Sequence, residues 1–402
     1  MTTLRRFSLL TTLFIASLAV ASPSLVRPIT SQTVVLRVTT LAAKGPGSLR
    51  AALEDPRPRL VVFEVGGVID LEGRTLVVRT PHLTLAGQTA PDPGITLIRG
   101  GLIVETSDVW IEHIAVRPGD GGWRMADGGS LTPDSASAIR PLPSAIREWA
   151  PDALGVRRGD APVHDVVFDH CSATWAVDEN LSTSGPADVD ATANPDATAH
   201  DVVIRNCIIA EGLSHATHPK GEHSKGTLVH DGVRNVTIEG CLYAHNRERN
   251  PRVKGGATAR VIGNVIYNWG SAAVGVGSMG NKKLLQGAEV VLEDNVAIPG
   301  PDTKNRALVK ELDPGAKVTL RDNHRGDEVL ERVLRNAGSR PARRDPIDAR
   351  IVKSVTDRTG HIIDSQNEVG GYPVRAATKR ALTIPSDLAG WLEGLGREVG
   401  GR

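Results

Sequence analysis

Apolar runs of only a few residues, separated by Gly, Pro, Asp or Thr, fill the chain from Thr33 onward: TVVLRV, LVVFEV, GGVIDL, TLVVRT, LTLAG, ITLIRG and GLIVET follow one another. Further on, one line of residue types recurs: apolar, any, apolar, charged or free, then a turn residue and, from the second copy on, Cys or Asn. It starts at Val109, Val166, Val202, Val236, Ala259, Val290 and Val318. The intervals are irregular while the strand part hardly changes, which predicts a solenoid whose units bury their apolar faces by stacking on one another. Asn-Gly and Asp-Gly hairpin signals are almost missing between the runs, so the pattern favours a parallel β-helix over a sandwich. Before the stack, GPGSLRAALEDP predicts a short helix from an N-cap at Ser48 to a stop at Pro56, placed to cover the open first rung. After Val318 the strand signal fades. GDEVLERVLRNAG, PIDARIVKSVTD and SDLAGWLEGLG have helical spacing and are expected to cover the far end or lie along a flank, as a C-terminal segment from about residue 324.

Alternation assigns faces. Val109 and Ile111 point inward, so Glu112 points outward, and the same count gives an outward column of Glu112, Asp169, Arg205, Glu239, Ile262, Glu293 and Arg321. Such a column is either a solvated charged face or a surface for an extended anionic polymer. Cys171, Cys207 and Cys241 occupy the sixth place of their rungs, where Asn264, Asn295 and Asn323 stand later. This predicts one interior column, with three buried unpaired thiols leading into an asparagine ladder.

With 402 residues, 40% of them hydrophobic, the chain can bury a large core in a single domain spanning residues 22–402. Formal net charge is only +1, from 47 basic and 46 acidic groups, which argues against nucleic acid as a partner. The start, MTTLRRFSLLTTLFIASLAVA, reads as an export signal cut after Ala21 and predicts a secreted or periplasmic protein, without a membrane anchor after cleavage. A monomer is expected.

Chemistry concentrates between residues 202 and 268. Arg247, Arg249, Arg252 and Lys254 fall within eight residues, beside His245, Asn246 and Asn250. Such a cluster is either an ordinary charged turn or an anion site. The loop HATHPKGEH brings His215, His218 and His223; it lacks a helical i, i+4 pair, so contact with a sugar is preferred over a transition metal. Trp123 and Trp149, in the long loop after Arg117, are candidate sugar-stacking platforms, and Trp175 is either site support or core.

The ordered combination resembles the pectate lyase family, polysaccharide lyases folded as right-handed parallel β-helices, and a secreted bacterial subgroup of it. GSLRAAL, VVFEVGGVI and LTLAGQTAP look like its first rungs, VVFDH like its Val-Trp-Ile-Asp-His line, RNPRVK like its Arg-x-Pro-x-x-Arg signature, and RRDPIDARIV and EVGGYP like the subgroup's tail. The resemblance implies Arg249 as the base and Lys254 as the carboxylate grip, where Lys keeps the charge but loses the guanidinium fork. It implies Ca2+ held by Asp169, with Asp178 and Glu179 as the further acidic ligands, although the family spaces those four residues apart. Lys220 is grouped with Arg249 as catalytic, with Lys225 as a rival; Arg252, His215, His218 and His223 complete the substrate contacts. The reaction implied is β-elimination on an acidic polysaccharide, pectate foremost, giving a 4,5-unsaturated product. A hydrolase on the same solenoid and a non-catalytic polysaccharide-binding protein are the alternatives. The implied mechanism requires Asp169 and Arg249 to border one cleft.

Overall fold

The alternating runs are satisfied by stacking. The computed structural model describes residues 26–400 apart from 122, 126–130, 134–148, 186–193, 279–286, 313–314, 324–325 and 341–342. The expected export signal lies outside the described residues. The chain is a right-handed parallel β-helix in which each full coil contributes one strand to each of three sheets. One coil runs Val109–Glu112, Ile114–Arg117 and Leu154–Arg157; the next runs Val166–Asp169, Ser172–Thr174 and Glu179–Ser184. The first sheet has ten strands, the second nine and the third eight. All seven strands starting the recurring line are consecutive neighbours in the first sheet, ending at Lys317–Arg321.

Register bears out the outward column residue by residue: Glu112 pairs with Asp169, then Arg205, Glu239, Ile262, Glu293 and Arg321 follow. Inside, Cys171, Cys207 and Cys241 are buried and unpaired. The Cys241 N–H donates to Asn264 Oδ1 at 2.8 Å, and Asn264 Nδ2 donates to Asn295 Oδ1 at 2.9 Å. Asn295 Nδ2 continues to Asn323 Oδ1 at 2.9 Å. Each amide spans the distance between strands and satisfies the backbone where the chain turns.

Helix α1 (Leu49–Leu53) begins at Ser48, whose Oγ accepts from the Ala51 N–H, and buries Leu49, Ala52 and Leu53 over the first coil. The C-terminal helices lie along flanks rather than over the far end. Helices α2 (Asp327–Asn336) and α3 (Pro346–Asp357) set Val333, Ala337, Ile351 and Val355 against Ile208, Leu242, Val265 and Tyr267 on the outer face of the second sheet. Helix α4 (Leu388–Gly400) sets Leu392 against Leu60, Val62 and Ala86 of the first. An outer sheet face made apolar by Leu, Val and Ile needs such a cover, whereas the last strand is exposed and carries Lys317 and Arg321. Among the described residues, no helix is long and apolar enough to cross a membrane.

Candidate active site

In successive coils, the turn from the second sheet to the third grows into a loop, and these loops stand side by side. They hold residues 175–178, 211–224 and 245–251. Beneath them runs a second asparagine ladder. Asn180 Nδ2 donates to Asn246 Oδ1, and Asn246 Nδ2 donates to Asn250 Oδ1, both at 3.0 Å. Arg249 sits above it with φ 64°, a left-handed conformation rare for a residue with a Cβ. Its carbonyl accepts from the Thr227 N–H, and the approach is close enough that a Cβ on Gly226 would stand 2.4 Å from that oxygen.

The loops and the outer face of the third sheet enclose a cleft of about 570 Å³ lined by Asp152, Asp178, Glu179, Ser182, Lys220, His230, Arg249, Arg252, Lys254 and Ser278, among others. Asp152, Asp178 and Glu179 each offer an oxygen, all within 4.8 Å of one another. Asp152 is fixed from two sides: the Glu179 N–H donates to it at 3.0 Å and Ser182 Oγ at 2.5 Å. Burial, and then the charge of Asp178, pushes its carboxyl up to about 7. Burial also works on Asp178, but the hydrogen bond from His223 at 2.7 Å and the nearby His218 outweigh it and hold that carboxyl below its usual value. Arg249 is ion-paired with Glu179. Burial, then the neighbouring charge of Arg252, lowers its guanidinium to about 10. A crowded set of oxygen donors in which one carboxyl resists ionisation fits a hard divalent cation, whose charge would relieve the repulsion.

The sequence expectations divide here. Asp178, Glu179, Lys220, Arg249, Arg252 and Lys254 do converge on one cleft. Asp169 does not. It lies on the first sheet in a separate cleft with Glu112, His113, His170 and Arg205, bonded to His170 at 2.6 Å and to Arg205 at 2.8 Å. Its strand belongs to a different side of the coil, so it cannot share a cation with Asp178. Asp152, not Asp169, stands beside Asp178 and Glu179. Glu112 is likewise held by Arg27 at 2.7 Å, so two carboxylates of the outward column, Glu112 and Asp169, already have arginine partners.

Lys225 is buried in an ion pair with Glu248 at 2.7 Å and does not line the cleft, so of these two rivals Lys220 is the one that does. Lys254 is paired with the buried Asp231. His215 is exposed and bonds to Asp364 at 2.9 Å, outside the cleft. His218 and His223 stack with centroids 3.7 Å apart, and both face Asp178. Although Asp178, His218 and His223 cluster closely, His218 Nδ1 accepts from the Lys220 N–H at 3.1 Å. That places the imidazole proton on Nε2, the nitrogen facing Asp178, which disfavours a transition metal there. Trp149 is buried, with Nε1 donating to the Gly119 carbonyl, and Trp175 is core, with Nε1 donating to Glu211. The side chain of Trp123 lies outside the described residues.

Sequence reasoning missed Asp152, Ser182 and His230 as cleft residues. Asp152 precedes its strand by two positions, and the pairing of Leu154 with Leu181 brings it beside Glu179. Only the register carries that signal.

No protein-family model matches the chain. Among curated proteins it is 34% identical to the probable pectate lyase C of Aspergillus flavus over 276 residues, 68% of this chain and 52% of that one. It is 29% identical to the probable pectate lyase C of Emericella nidulans over 376 residues, 83% of this chain and 74% of that one. The chain spans about half the length of most curated relatives it matches. These relatives are fungal, which overturns the expected bacterial subgroup while supporting a pectate-lyase-like family. Among solved structures, a pectate lyase from Bacillus sp. N165 in complex with trigalacturonate overlays with a TM-score of 0.46 at 11% identity, covering 83% of this chain and 94% of that one, too distant to carry a functional argument.

Proposed function

From the premise of a pectate-lyase-like family, we propose that the chain is a lyase that cleaves a uronic-acid polymer, pectate foremost, by β-elimination. The observation that carries this reading is Arg249, its proton affinity lowered, in one cleft with the three carboxylates Asp152, Asp178 and Glu179. Elimination removes the C5 proton, α to the uronate carboxylate, and breaks the bond from the adjacent C4 to the glycosidic oxygen. The electron pair of the broken C–H bond becomes the C4–C5 double bond, and the departing oxygen takes the pair of the C4–O bond and is protonated by water.

Each residue has a distinct part in this scheme. Arg249 in its neutral form takes the proton. Glu179 holds the guanidinium in place before substrate enters. Lys220, exposed at the rim, adds positive charge where the dianion develops. Asp152, Asp178 and Glu179 would hold Ca2+, which when bound neutralises and polarises the substrate carboxylate. We also read the chain as an exported monomer that acts outside the cytoplasm.

One observation favours a second reading. A carboxyl that keeps its proton to about pH 7 beside an ionised one resembles the acid and base of a glycoside hydrolase. A screen of anionic polysaccharides, with and without chelator, separates the readings. Ultraviolet absorbance of a 4,5-unsaturated uronide that appears only with the cation supports elimination. A saturated reducing end supports hydrolysis, and binding with unchanged polymer length supports neither enzyme.

A further inference from the structure

The cations of this cleft are not equally available. Arg249 is held by Glu179 and Lys254 by Asp231. Asp231 is 1% exposed and also accepts a hydrogen bond from Ser278 Oγ. Parting Lys254 from it would leave a buried carboxylate uncompensated, so the pair is hard to open. Arg252 differs. Among the described residues no carboxylate lies within ion-pair distance of its guanidinium, which makes only long contacts to the Gly277 carbonyl, 3.3 Å from Nε and 3.4 Å from Nη2. Arg252 and Lys254 are two residues apart and share the outer face of the third sheet, with Val253 buried between them. At the next rung Arg252 pairs with Gly275, where a Cβ would stand 3.3 Å from Arg252 Cγ. Without that Cβ, the arginine stem lies flat across the sheet and its head stays in the cleft.

We propose that Arg252, rather than Lys254, receives the carboxylate of a bound uronate, and that Asp231 is the positioning residue that withholds Lys254 from that role. This assignment rests on the lyase reading. A guanidinium offers parallel N–H donors that match a carboxylate, and it loses the charged partner when that carboxylate is methyl-esterified. Arg252 therefore sets the preference for the acid form.

The test measures binding of trigalacturonate and its methyl ester, in calcium buffer, to Arg249→Ala protein, which should bind without cleaving. Adding Arg252→Ala should lower the preference for the acid form about ten-fold, the scale of a lost charge-assisted hydrogen bond. Arg252→Lys should fall between the two. Adding Asp231→Asn to the Arg252→Ala chain should recover part of the preference by freeing Lys254. Circular dichroism checks that each variant is folded. An acid preference that survives Arg252→Ala, or that vanishes in Asp231→Asn/Lys254→Met with Arg252 intact, overturns the assignment. If the unmodified protein forms no unsaturated product from any uronate, the lyase reading itself is lost, and this assignment with it.

Discussion

Arg249 depends on its backbone as much as on its guanidinium. The left-handed turn aims the side chain into the cleft, the missing Cβ of Gly226 makes room for the turn, and the Asn180–Asn246–Asn250 ladder fixes it from below. Replacement by Ala removes none of these supports. In calcium buffer, where a bound cation offsets the charge left on Glu179, Arg249→Ala should therefore keep its fold yet lose about a thousand-fold or more in rate of unsaturated product. Because burial and Arg252 lower the guanidinium to about 10, its neutral fraction rises about ten-fold per pH unit between pH 7 and 9. Initial rates at saturating cation should climb in parallel; an optimum near pH 5 would exclude Arg249 as the base. Arg249, Lys220, Asp178 and Glu179 were legible because each stands inside a short motif. Asp152 was not, because a residue two positions before a strand gains its neighbours only through register across a long loop.

At the scale of elements, the interior columns hold the coils in register. Asn295 is fully buried; its Oδ1 accepts from the Asn264 N–H at 3.1 Å and its Nδ2 donates to the Val261 carbonyl at 2.7 Å. Asn295→Ala should destabilise the fold by about 3 kcal/mol, since it leaves buried backbone groups without partners, and urea titration would measure the loss. The thiol column was readable from the same sixth-place spacing. Three free thiols per chain should be titrated in denatured, unreduced protein; fewer would mean that adjacent rungs had been bridged. Helices were legible as helices, but not their docking. Helix α3 is tied to the second sheet by Arg117, whose guanidinium reaches Asp348 at 2.7 Å, both fully buried. No local pattern around Arg117 forecasts a partner so far along the chain.

For the whole molecule, the decisive fact is that a three-sided coil has separate faces. Asp169 ends one strand of the recurring repeat and Arg249 comes later in the coil that starts with another, so one belongs to the first sheet and the other to the turn before the third. The cation site we propose is accordingly drawn from Asp152, Asp178 and Glu179, and its proton behaviour gives a global readout. The Asp152 carboxyl is raised from 3.8 to about 7, so the ion-free fold holds a proton there that the unfolded chain releases. Its stabilising contribution is complete below about pH 4 and lost as pH rises through 7, while a bound cation replaces the proton above that value. Calcium should thus raise the melting temperature more at pH 8 than at pH 5, measured by scanning calorimetry, and Asp152→Asn should flatten that difference. By itself the sequence determined the solenoid, its inward and outward columns and most of the cleft's charged groups, because alternation and short motifs are local properties of a strand. Which side of the coil each group occupies, and whether a neighbour already neutralises it, was decided only by tertiary structure, because loop lengths set the register and ion pairs form between rungs that are distant in the chain.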